Sequence, residues 1–349
     1  MELDFIETEI STISIHKVGN KFTNEGCIFS KAPIFISKDL QNILVHYFVS
    51  SFNLNEFYRF SHEIDLNLNE LYLFSKNIFS DKKNFHDQSL NIAKYLYEKS
   101  NHPKIRGGEL YVVHFKKCLL NNKYVNAIGI FKSENRNTFL RVFLSDDNDF
   151  VIESEKGIDI NKLDKGCIIF NQEEKDGFLI AVVDSSNKNT RPKYWTDDFL
   201  HIVPRKDSYQ DTKNILAISN SFISKKIGKD EKFTKSDQVK LINKSFEFFA
   251  NNINFSIDNY ANDVLAEYGL VDKFDTYKSK YLHDNNIEIS DDFHISKQAL
   301  KKQMRKLRGL IRLDDNFEVL VRNSNNYIKR GFDKESGLYY YQLFFNEEH

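Results

Sequence analysis

Between residues 110 and 184, six short runs of β-branched and aromatic residues follow one another: LYVVHFKKCLL, YVNAIGIFK, TFLRVFL, DFVIES, GCIIFN and GFLIAVVD. Turn signals at Asn121-Asn122, Asp146-Asp147-Asn148 and Asp176-Gly177 separate them. The connections are too short for crossover helices, so neighbouring runs can pair only antiparallel, and the pattern predicts an antiparallel meander.

The flanks read as helix. Ser37 is placed to cap a helix carrying Leu40, Ile43, Leu44, Tyr47 and Phe48, and a second helix is predicted over about 87–99, stopped by His102-Pro103. After residue 209 the texture turns helical again. Ile215, Ile218, Phe222 and Ile223 share one stripe; Ser236 opens another with Val239, Ile242, Phe246, Phe249 and Ile253; Tyr260 to Tyr281 holds one or two shorter helices. Hairpins are predicted around Asp314-Asp315-Asn316 and from Asp333 to Gly337. The boundary falls at Pro204 to Ser208. The expected fold class is α+β: residues 1–207 as a mainly antiparallel sheet with flanking helices, and residues 208–349 as a helical domain ending in β-hairpins. At 349 residues the chain is long enough for two such cores.

Composition narrows function. A charged fraction of 28% beside 41% hydrophobic residues describes an ordered chain, and a net charge of −1 supplies no overall field for a polyanion, so any such activity must come from local clustering. MELDFIETEI places acids where a secretory signal has bases and an apolar run, and no stretch has eighteen unbroken apolar residues, so a cytoplasmic protein without a membrane partner is expected. Cys27, Cys118 and Cys167 have no paired spacing, which fits a reducing compartment and offers no zinc framework.

Signatures of cofactor chemistry are missing. There is no G-x-x-x-x-G-K-[ST] and no G-x-G-x-x-G, and the ten histidines form no H-E-x-x-H, so neither a cofactor nor a metal site is expected. Asp164 upstream of Glu173-Glu174-Lys175 loosely matches the acid, acid-x-Lys order of metal nucleases, but EEKDG also reads as a polar turn between strands. His114, Lys116 and Cys118 would share one strand face, and a neighbouring base can activate a thiol; a lone Cys at the end of an apolar strand is more often packing.

One segment departs from the neutral whole. Residues 296–312, SKQALKKQMRKLRGLIR, carry seven Lys or Arg and no acid. With Ser296 as N-cap, Ile295 and Leu300 stand where a hydrophobic staple puts them, and Leu300, Met304 and Leu307 form a narrow apolar stripe. Lys297, Lys301, Lys302, Arg305, Lys306 and Arg308 spread over the rest of that helix, and Arg312 follows on a strand. Ordinary charged helix faces mix signs, because acid and base four apart relieve repulsion; this one has no acid to pair with, and either an acidic face elsewhere in the protein or phosphate would serve. A second candidate is the loop NKNTRPKYWTDD, where Arg191, Lys193 and Trp195 combine charge with stacking surface; the alternative is a Trp folded back on the core.

Several stretches also resemble a known family. FHISKQALKKQMRKLRGLIRLDDNFEVLVR, continued by IKRGFDKESGLYYYQLFF, resembles the C-terminal signature of the nucleoid-associated proteins typified by NdpA. ISIHKVGNK and KGCIIFNQEEKDGFLIAVVDSSNKNTRPKYWTDDFL, followed by YQDTKNILAIS, agree in order. The resemblance implies a bacterial cytoplasmic protein that associates with the nucleoid and binds DNA without enzymatic activity. The expected function is therefore non-catalytic DNA binding, single- or double-stranded and largely sequence-independent, with a homodimer permitted. Two other readings stand beside it: a protein-interaction or regulatory module, for instance in defence against foreign DNA, and a metal-dependent nuclease using Asp164, Glu173 and Lys175.

Overall fold

A computed structural model describes residues 3–52, 54–185, 194–230, 232–306, 309–313, 317–321, 328–345 and 347. The chain divides into two compact units, Met1–Arg205 and Lys206–His349.

The first unit holds strands β1 (Leu3–Asp4), β2 (Glu9–Val18), β3 (Cys27–Ile28), β4 (Phe57–Phe60), β5 (Gly108–Leu120), β6 (Lys123–Ser133), β7 (Asn137–Leu144), β8 (Phe150–Gly157), β9 (Lys165–Phe170), β10 (Leu179–Asp184) and β11 (Ile202–Pro204). Its helices are α1 (Lys38–Val49), α2 (Glu70–Ser80) and α3 (Phe85–Lys99). Nine strands form one antiparallel sheet in the order β11-β4-β10-β9-β6-β5-β2-β3, with β1 beside β5. Pro204 lies in the edge strand, where its missing N–H costs no ladder bond.

Both faces of the sheet are covered. On one, Leu110, Val112, Ile128, Ile130, Cys167 and Ile169 pack beneath Leu71 and Ile78 of α2 and Ile92, Ala93 and Leu96 of α3. On the other, Val113, Phe115, Ile168 and Phe170 pack with Val45, Tyr47 and Phe48 of α1, the Phe48 and Phe131 rings stacking at 4.3 Å. Ser37 caps α1 by accepting from Leu40 N–H, as expected, although Leu40 and Ile43 remain exposed.

The predicted meander is interrupted. After β6 the chain makes a separate two-stranded hairpin, β7–β8, and only then returns to lay β9 directly against β6. Asp164 holds the junction: its Oδ2 accepts from Glu134 N–H at 2.7 Å and Asn135 N–H at 2.9 Å, and its Oδ1 from Asn135 Nδ2 at 2.6 Å. Strand β2 was not anticipated, because a register shift between Ile10 and Thr12 breaks its alternation.

The second unit holds α4 (Ser208–Ser221), α5 (Lys235–Asn251), α6 (Ile257–Tyr260), α7 (Val271–Asp284) and α8 (Lys297–Lys306). Three two-stranded antiparallel pairs complete it among the described residues: β12 (Asn254–Ser256) with β13 (Asp292–His294), β14 (Gly309–Leu313) with β15 (Phe317–Val321), and β16 (Ile328–Asp333) with β17 (Leu338–Leu343). Its core gathers Ile215, Leu216, Ile218, Phe222, Leu241, Phe249, Tyr260 and Phe274. The cap of α5 is Thr234 and not Ser236: Thr234 accepts from Asp237 N–H while Asp237 accepts from Thr234 N–H, a reciprocal capping box. Ile253, expected on the α5 stripe, lies beyond the helix and is exposed.

Candidate nucleic-acid interface

Helix α8 is built as its N-terminal sequence predicts. Ser296 Oγ accepts from Ala299 N–H at 3.3 Å, and Ser296 N–H donates to Thr212 Oγ1 of α4 at 3.0 Å, fixing where the helix starts. Ile295 and Leu300, the staple pair, are 2% and 6% exposed within the core of this unit. Burying each stabilises the seat by about 1.5–3 kcal/mol.

The apolar stripe is not the predicted one. Ala299, Leu300 and Gln303 face inward, while Met304 is 45% exposed and Leu307 lies outside the described residues. The helix is therefore anchored through its first two turns, against α4 and α5.

Lys297 and Lys301 are exposed, and among the described residues no acid lies in ion-pair contact with either. Lys302 is half-buried, its ammonium 6.0 Å from the centre of the Tyr209 ring, so part of its charge is turned to an internal partner. Arg305 and Lys306 lie in the last turn of α8 and are described by their backbone alone. Arg312 lies in β14, in register with Glu318 of β15, again by backbone alone. Arg308 falls outside the described residues.

Of the second candidate, only the aromatic part lies among the described residues. Arg191 and Lys193 lie outside the described residues. Trp195 is wholly buried, which selects the folded-back alternative over the stacking one: it packs 4.9 Å from Phe199, and its Nε1–H donates to Gly166 O at 3.5 Å. Its indole gains more from the sheet than from solvent because burial and the N–H partner come together.

A neighbouring cationic and aromatic feature was read only as a hairpin. In β16–β17 the Arg330 guanidinium lies 3.8 Å over the Tyr339 ring, Phe332 packs 4.9 Å from Tyr339, and Lys329 lies 5.3 Å from Phe344. Phe332, Tyr339 and Tyr340 are exposed, and β14, β16 and α8 all pack against α5. The signal was present in the interleaving of bases and aromatics in IKRGF and LYYY.

A model of the family described as nucleoid-associated protein YejK matches residues 14–329. The chain belongs to this family. The match spans strands β3 to β11 of the first unit and, in the second, α4 to α8 and β14–β15. No curated protein matches the chain. Among the described residues, no helix is long and apolar enough to cross a membrane.

The residues of the other readings are drawn apart. Asp164 and Glu173 stand beyond opposite ends of β9, roughly 20 Å apart at the rise of a strand. Both oxygens of Asp164 are occupied by the 134–135 turn, and Glu173 receives the Arg205 guanidinium at 2.6 and 2.9 Å. No group of three or more His, Cys, Asp or Glu among the described residues could hold a metal ion. A bulge between Phe115 and Cys118 rotates the strand, so Cys118 enters the core beside Val113 and Phe115 while Lys116 points to solvent. Burial pushes the Cys118 thiol up to about 12, which leaves it unreactive.

A buried ionic cluster escaped the sequence reading. Lys132, Lys165 and Asp184 sit side by side across β6, β9 and β10. Lys132 Nζ lies 3.0 Å from Glu134 Oε1, an ionic contact, and donates to Arg106 O at 2.6 Å and Tyr194 Oη at 3.3 Å. Lys165 Nζ lies 3.1 Å from Glu134 Oε2 and 3.6 Å from Asp184 Oδ1. Burial holds the Lys132 ammonium below its ordinary pKa, against the opposing pull of Glu134.

Proposed function

We propose that this protein binds DNA at the nucleoid without catalysis and with little sequence preference, through the exposed basic side of α8. The observation that carries the reading is that, among the described residues, no acid pairs with Lys297 or Lys301 on a helix whose other side is anchored in the core. Two like charges four residues apart destabilise a helix modestly unless an external anion meets them, and phosphate does so while releasing condensed counterions. Membership of the nucleoid-associated family supports DNA as that anion. Arg330 and Lys329 extend the cationic surface along the same unit, with the rings of Phe332 and Tyr339 beside them. Contacts of this kind fix position on the backbone and read no base edge.

Titrating duplexes of unrelated sequence at two salt concentrations tests the reading. The expected result is equal affinity across sequences, falling steeply from 50 to 200 mM salt. Absence of binding at the lower salt contradicts it. Labelled DNA incubated with magnesium or manganese is expected to stay intact, and cleavage abolished by Glu173→Ala would reinstate the nuclease.

A further inference from the structure

The hairpin β7–β8 carries a broad apolar surface that the described residues leave uncovered. Strand register sorts its side chains onto two faces. One is mixed: Arg141 opposite Glu153, and Phe139 opposite Glu155, with the Arg141 guanidinium 4.7 Å from the Phe143 ring. The other runs through Thr138 and Lys156, Leu140 and Ser154, Val142 and Ile152, then Leu144 and Phe150, and ends at the turn Ser145–Asp149.

On that second face Leu140 is 73% exposed, Val142 58%, Leu144 55%, Phe150 79% and Ile152 68%. These five side chains present on the order of 600 Å² of apolar surface, more than the few hundred Å² most monomers leave open and close to the about 800 Å² each partner contributes to a standard interface. An isolated two-stranded hairpin is marginal in water, so a surface of this kind is stabilised by being covered.

The order of residues along the face identifies what covers it. Val142 and Ile152 lie at the middle. One level towards the base are Leu140 and Ser154, and one level towards the tip are Leu144 and Phe150; two levels towards the base are Thr138 and Lys156, and beyond the last level at the tip comes the turn that carries Asp146, Asp147 and Asp149. Turning a second hairpin antiparallel about an axis through Val142 and Ile152 sets apolar level on apolar level and lays each Lys156 on the other copy's acidic turn. Lys156 forms no ion pair among the described residues of its own chain, and neither do the three acids. A phosphate surface fits poorly, because the tip is acidic and the apolar levels carry no base.

We propose that this face of β7–β8 is a two-fold interface between two copies of the chain, with Val142 and Ile152 at its centre and Lys156 paired across the axis with the Asp146–Asp149 turn. The same patch on both copies makes the contact isologous and closed, so it yields a dimer and no filament. The inference does not depend on DNA binding, since the face lies in the first unit and α8 in the second.

Sedimentation velocity on the full chain between about 1 and 100 μM tests it. The native chain is expected to be dimeric within that range. Val142→Asp with Ile152→Asp is expected to leave a monomer with unchanged circular dichroism, because neither side chain is part of a core. Lys156→Glu alone, acting twice per dimer, is expected to raise the dimer dissociation constant about fivefold, and adding Asp146→Lys with Asp147→Lys to restore it. A native chain that stays monomeric overturns the proposal; so does a dimer unaffected by the two aspartates, or a charge exchange that fails to restore association. DNA affinity measured on the monomeric variant keeps the two readings separate.

Discussion

Two sets of lysines in this protein meet opposite fates. Lys132 and Lys165 are taken into the first unit, 0% and 4% exposed at their side chains, and each is met by the buried carboxylate of Glu134, just past the end of β6. Lys297 and Lys301 are left outside the second unit with no acid beside them among the described residues. A buried cation must have its partner built in, because desolvation costs several kcal/mol, whereas an exposed one can leave the position to something that arrives from outside. The difference separates charges that hold this fold from charges that its fold leaves available.

The largest expected effect comes from breaking the buried set. Lys132→Met keeps the length of the side chain but leaves Glu134 in the interior without one of its two ammonium partners. Denaturant unfolding should show a loss of about 3–5 kcal/mol, with DNA affinity of the folded fraction unchanged. A loss below about 1 kcal/mol would mean that the cluster is hydrated in solution and that the contrast with α8 is not one of burial.

Next comes pH, through two buried imidazoles that the fold keeps neutral. His16 and His114 are 1% and 4% exposed, and burial lowers both to about 4, helped by His86 for the first and by Lys82 and Lys116 for the second. Their folded values lie below the unfolded value near 6.5, so the unfolded chain takes up protons that the folded chain refuses as pH falls from about 6.5 towards 4. Stability from this source is fully present above pH 6.5 and is lost below it. Between pH 7.5 and pH 5 the fall should be on the order of 1–2 kcal/mol per ring, read from the urea midpoint. His114→Leu, which also removes an Nδ1 that has no hydrogen-bond partner among the described residues, should remove about half of that fall.

The smallest effect belongs to a paired but exposed cation. Arg205 grips Glu173 with two hydrogen bonds, yet the side chains are 26% and 34% exposed. Arg205→Ala should therefore cost under about 1 kcal/mol in thermal or urea unfolding. A larger loss would place this pair with the buried set.

How much of this was readable in the sequence follows from the distance over which each feature is specified. The α8 staple was legible because Ile295, Ser296 and Leu300 are close neighbours in the chain, and so were the strands of β5, β6, β9 and β10 from their own composition. Met304 was misplaced because which side of a short helix turns inward depends on α4 and α5, not on its own periodicity. Cys118 was assigned the face of His114 because a bulge cannot be seen in regular alternation. The Lys132, Lys165 and Asp184 row was hidden for the same reason in stronger form: three strands distant in sequence must be placed in register before the charges meet. Trp195 could be read either way from its loop, and the sheet beneath it decided.

On this reading the lysines that α8 exposes without an acidic partner among the described residues contact phosphate. That claim is tested most directly by the salt dependence of duplex binding, native chain against Lys297→Glu with Lys301→Glu. If both lysines contact phosphates, the slope of log K against log salt becomes shallower by about 2, affinity at 100 mM salt falls at least tenfold, and the unfolding free energy stays within about 0.5 kcal/mol of native. An unchanged slope with unchanged affinity would contradict the claim and move the DNA surface away from α8.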